Sequence, residues 1–152
     1  MPNRSLAMFL LCFGVVALSG VLIVEVGHAW GDFDHFYFAG VQTLYVGATV
    51  WLIEAVVLGV VSAWHLSVAE TLAGYAGVVL GTVPINALAH YNLATVCMWG
   101  QCPPAPDAGG LLANAFAGLA IVAPVAGAIF LVIGLVRMRV RGGHPIPGAA
   151  TT

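Results

Sequence analysis

The stretch SLAMFLLCFGVVALSGVLIVEV, Ser5 to Val26, carries no charged side chain before Glu25, and three further apolar runs follow it. About 20 such residues suffice to cross the hydrocarbon of a bilayer as a helix. In hydrocarbon no water is present to satisfy backbone N–H and C=O groups, so a lipid-exposed span must satisfy them internally. Runs at about 5–26, 38–64, 68–92 and 110–136 therefore predict an all-α membrane protein with four transmembrane helices. Composition agrees: 61% of residues are hydrophobic and 7% charged, against about 25% charged in soluble domains. The first run is longer than the apolar region of a signal peptide and has no A-x-A site after it, so it reads as a retained helix.

Loops complete the plan. GHAWGDFDHFY separates the first two runs, HLS the second and third, and LATVCMWGQCPPAPDAG the third and fourth. Ser67-x-x-Glu70 is a capping box, a helix start in which each side chain satisfies the other residue's free N–H. A connection this short makes spans two and three an antiparallel hairpin. The chain has no lysine, and its arginines are Arg4, Arg137, Arg139 and Arg141, all near the ends. An even number of spans puts both ends on one side, and the positive-inside rule makes that side the cytoplasm. The expectation is one domain over 1–136, an up-down four-helix bundle with cytoplasmic termini. Residues 137–152 form a short cytoplasmic tail, and loops 27–37 and 93–109 lie outside. Abundant alanine, glycine, valine and proline suit the plasma membrane of a prokaryote, or a membrane derived from a virus of one.

Lipid supplies no hydrophobic drive between helices, so small residues must let backbones approach. Candidate seams are Gly59-x-x-x-Ala63, Gly77-x-x-x-Gly81, Ala113-x-x-x-Ala117 and Ala123-x-x-x-Gly127. Pro84 and Pro124 each remove a backbone donor and bend their helices.

Few residues look chemical. Cys97 and Cys102, in CMWGQC, lie on an outer loop, where an oxidising compartment favours a structural disulfide. Closing so small a ring contributes about 2–3 kcal/mol in the chain-entropy model. The spacing is not the C-x-x-C of thiol oxidoreductases. Cys12, inside span one, reads as a packing residue. Glu54 lies deep in span two, where a carboxyl must be protonated, paired or facing a wet cavity. His28, His35 and His90, with Asp32 and Asp34, gather toward the outer face, a set that suits zinc or copper. The alternative is an aromatic interface that carries histidines incidentally. One haem between His28 and His90 is a further option, although no cofactor is expected.

Three functions fit. The first is a small non-catalytic accessory or structural subunit of a larger integral-membrane assembly. The second is a proton- or solute-translocating protein using Glu54 with Gln42, Thr43 and Thr49. The third is an outer-face metal or redox protein. The expected partners are lipid and other membrane subunits or further copies of the chain. No basic patch offers itself to nucleic acid.

Overall fold

The computed structural model describes residues 4–30, 36–65, 67–94, 104 and 107–142, with side chains described for all of these but 27–30, 36–44, 65, 93–94 and 141–142. Its elements are six helices: α1 (Arg4–Trp30), α2 (Phe36–His65), α3 (Val68–Leu80), α4 (Thr82–Ala94), α5 (Ala108–Ala117) and α6 (Leu119–Gly142). They make four stretches long and apolar enough to cross a membrane, because α3 and α4 form one and α5 and α6 another. The protein is an all-helical integral membrane protein over the described residues.

The helix starts follow local chemistry. At Ser67 the capping box is complete: the Glu70 N–H donates to Ser67 Oγ at 3.4 Å, and the Ser67 N–H donates to Glu70 Oε2 at 2.8 Å. Arg4, at the start of α1, acts electrostatically on the same Glu70 carboxylate. Asp107 caps α5 by accepting the Gly110 N–H at 2.8 Å. Replacing Ser67 by Ala removes the acceptor of the Glu70 N–H, while the backbone N–H of residue 67 keeps Glu70 Oε2, and should lower stability by about 1 kcal/mol. Unfolding in mixed detergent micelles checks this, with Val68→Ala at an exposed neighbour as the reference.

Spans three and four are each interrupted at a glycine. Span three breaks at Gly81, three residues before Pro84, whose missing N–H leaves the Leu80 carbonyl without its helical donor. Thr82 Oγ1 donates to the Val79 carbonyl at 2.7 Å across this break. Span four breaks at Gly118, and α6 then runs through Pro124. Gly81 and Gly118 both have ordinary right-handed backbone, so glycine is required at these positions by packing rather than by φ.

That packing centres on α1 and α3, which share the most extensive helix contact. A Cβ at Gly77 would meet the Phe9 carbonyl oxygen at 2.6 Å and Cys12 Cβ at 2.9 Å; at Gly81 it would meet Val16 Cβ at 2.9 Å. A Cβ at Gly20 would strike the Ile85 side chain. Residues 9, 16 and 20 of α1 thus meet 77, 81 and 85 in the same order. The expected Gly77/Gly81 seam is this interface. The core around it is Met8, Cys12, Val16, Ala55, Leu58, Val78, Val79 and Ala126, and Cys12 is fully buried as a packing residue. Gly59 and Ala63 are also buried, with Gly59 facing Ile133 and Phe130 of α6. Tyr75 donates to the Ala123 carbonyl at 3.1 Å and lies against Gly127, tying α3 to α6.

Two boundaries differ from the sequence reading. Helix α1 reaches Trp30, and α6 continues past 136 through Arg137, Arg139 and Arg141 to Gly142. Helical backbone needs no apolar side chain, so a hydropathy boundary marks where the hydrocarbon ends, not where the helix does.

Candidate functional site

Two sets of polar groups lie within the spans. The first joins α1 and α2. Glu54 is half-buried and its carboxyl interacts with the Ser19 side chain. The Ser19 hydroxyl donates to the Val16 carbonyl at 3.1 Å. One turn before Glu54, the Trp51 indole Nε1 is buried with no hydrogen-bond partner among the described residues. Thr49 takes no part: its hydroxyl donates to the Tyr45 carbonyl of its own helix at 2.8 Å, and it is exposed. Five residues separate Thr49 from Glu54, which turns them to different faces. Gln42 and Thr43, the other members of the expected polar path, have side chains outside the described residues.

The second set joins α4 and α5 around the Gly118 break. The Asn86 amide donates to the Ala115 carbonyl at 3.5 Å, and a Cβ on Gly118 would collide with that amide. One turn further along α4, His90 Nε2 lies 3.1 Å from Asn114 Nδ2, which also donates to the Gly110 carbonyl at 2.9 Å. A carbonyl only accepts, so the Asn114 atom facing it is the nitrogen. The same amide lies against His90, which is thereby engaged with a neighbouring helix.

The two sets occupy one layer. Ser19 adjoins Gly20, Gly20 packs on Ile85, and Ile85 adjoins Asn86.

Of the expected metal residues, His90 has Asn114 as its partner, while the side chains of His28 and His35 lie outside the described residues. Among the described residues no group of three His, Cys, Asp or Glu gathers to hold a metal ion. Cys97 and Cys102 also lie outside them. Ser19 and Asn114 were not anticipated as site residues. Asn114 had a signal, because it is the only side-chain amide in span four. A serine in an apolar helix gave none.

Span four stands apart from the other three. Only 6% of its most apolar window is buried, against 33% for span three. Among the described residues, helix α5 touches α4 and α6 but none of α1, α2 or α3. Ala113 and Ala117 of α5 and Ala120, Pro124 and Ala128 of α6 are all exposed. Steps of three or four residues place the first two on one face of α5 and the other three on one face of α6.

No protein-family model matches this chain, and neither does any curated protein or solved structure.

Proposed function

We propose that the chain is a small non-catalytic subunit of a larger integral-membrane assembly, seated against its partner through span four. The observation that carries this reading is the exposed small-residue stripe of span four, Ala113–Ala117 on α5 and Ala120–Pro124–Ala128 on α6. A helix face in contact with lipid has no need of small side chains, whereas a helix–helix interface does. The seams at Gly77, Gly81, Gly59 and Ala63 are filled inside the bundle, and this one is open. Large apolar residues that surround the stripe, Leu112, Phe116, Ile121 and Val125, would flank the contact.

The arrangement proposed with it is an up-down bundle with both termini in the cytoplasm of a prokaryotic cell. Two contact orders support the bundle: numbers rise together between α1 and α3, whereas Ser19 meets Glu54 and Ile23 meets Gly47, so α1 and α2 run oppositely. The position of every arginine near a chain end supports the orientation. An outer-loop disulfide between Cys97 and Cys102 belongs to the same picture.

Photo-cross-linking in native membranes tests the docking face. A photoreactive residue at Ala117 should capture a different polypeptide. One at Val57, exposed on α2, should capture mainly lipid. Lipid adducts alone at Ala117, or adducts only to further copies of this chain, would remove the basis of the reading. A second reading, proton translocation, is favoured by the Glu54–Ser19 contact at mid-span.

A further inference from the structure

We infer that the last turns of α6 bind one anionic phospholipid, with its phosphate on Arg139 and an acyl chain along Val132, Leu135 and Val136. The first observation is a groove. These four residues line a shallow depression of about 240 Å³ on the exposed surface of the helix. They stand at i, i+3, i+4 and i+7, which is one helix face. The three aliphatic side chains are 58%, 47% and 46% exposed, and all four wall residues belong to α6. An apolar groove that ends in a guanidinium matches a molecule with a hydrocarbon chain and an anionic head. A neutral lipid would use only the groove, and a water-soluble anion only the guanidinium.

The second observation is the charge at this end of the bundle. Asn86 meets Ala115, and Tyr75 meets Ala123 and Phe130, so spans three and four run in opposite directions. The same register brings the start of α3 to the last turns of α6. Arg4 faces Glu70 there, so Arg4, Arg137 and Arg139 share one end. Glu70 is the acidic group described at that end, and it already accepts from the Ser67 N–H at 2.8 Å and the Ser67 hydroxyl at 3.0 Å. Glu25 and Asp107 stand at the opposite end, and Glu54 lies at mid-span.

Arg139 is exposed, and among the described residues it has no hydrogen bond or ion pair. An arginine so placed lays its stem on apolar surface and presents its head to the polar layer. Its planar fork suits a phosphate. Attraction of one such cation to anionic lipid corresponds to about a fivefold gain in binding. Arg137 serves a different surface, because residues two apart on a helix do not face each other. The site lies past Ala128, beyond the small residues of the docking face, and stands without the subunit reading.

Native mass spectrometry of the full chain in detergent tests it, with dioleoyl phosphatidylglycerol and dioleoyl phosphatidylcholine supplied in equal amounts. The first bound lipid should be phosphatidylglycerol by about fivefold. Arg139→Gln should bring the ratio close to one. Arg137→Gln, which removes the same charge from another face, should keep most of the preference. Unchanged helicity by circular dichroism confirms that each variant folds. Equal binding of the two lipids by the wild type, or a preference that survives Arg139→Gln, would overturn the inference. An equal loss in both variants would mean a general field rather than a site. Displacement of the bound lipid by inorganic phosphate would make it a site for a free anion, and would overturn the lipid assignment.

Discussion

Gly77→Leu should abolish the folded bundle, at an expected cost of about 3 kcal/mol or more, the upper range for overpacking a close contact. The magnitude follows from what the new side chain would meet. A Cβ at Gly77 lies 2.6 Å from the Phe9 carbonyl oxygen, 2.9 Å from Cys12 Cβ and 3.0 Å from the Phe13 nitrogen. Two of those atoms are backbone, so no change of rotamer relieves the clash and α1 must move away from α3. That movement would open the contact around which Met8, Cys12, Val16 and Val78 are buried. Gly77→Ala should already destabilise. Gly59→Ala should be milder, because the atoms it meets are the ends of the Ile133 and Phe130 side chains. Gly14→Ala and Gly134→Ala, which meet nothing within 4 Å, should stabilise their helices by up to about 1 kcal/mol. Unfolding in mixed micelles across these five variants separates close approach from helix propensity. A Gly77→Leu protein as stable as wild type would mean that α1 does not lie against α3.

The second large effect is a rescue. A Cβ at Gly74 would sit 2.8 Å from Ser62 Oγ, a fully buried hydroxyl that donates to the Leu58 carbonyl at 2.6 Å. Gly74→Ala alone should cost about 1–3 kcal/mol. Removing the oxygen as well, in the double variant Ser62→Ala/Gly74→Ala, should return most of that loss. The coupling free energy should then lie well outside the additive limit of about 0.5 kcal/mol. Strict additivity would place the two residues out of contact and displace the hairpin of α2 and α3 from its position here.

The number of spans, their approximate limits, the Ser67/Glu70 start and the Gly77/Gly81 seam could all be read from the residues. Each depends on local physics: apolar length, a capping pattern, or the removal of side chains where backbones meet. Which helix lies against which could not be read. The spans are apolar on every side, so polarity does not mark an inner face, and pairing depends on shape. The interruption at Gly118 was hidden for the same reason. Pro124 drew attention to the wrong turn, whereas the break lies where Asn86 of another helix reaches the Ala115 carbonyl. Glu54 stood out at once as a charge type in hydrocarbon. Its partner Ser19 did not, because a serine can satisfy itself on its own helix, as it does toward Val16. His90 stands out as a metal candidate; in the structure it lies against the amide of Asn114, and the side chains of His28 and His35 fall outside the described residues.

The open stripe on span four also bears on stability. Placing Leu at Ala117 should leave the isolated chain as stable as before, since that position is exposed, while blocking close approach by a partner helix. That separation of folding from docking distinguishes a surface meant for protein from one that merely faces lipid.

The most direct test of the subunit reading is the mass of the intact particle extracted from its native membrane in mild detergent. The account predicts a defined hetero-complex that contains this chain and loses it when Ala117 is replaced by Leu. A monomer or a homo-oligomer of this chain alone, unchanged by the same substitution, would contradict it.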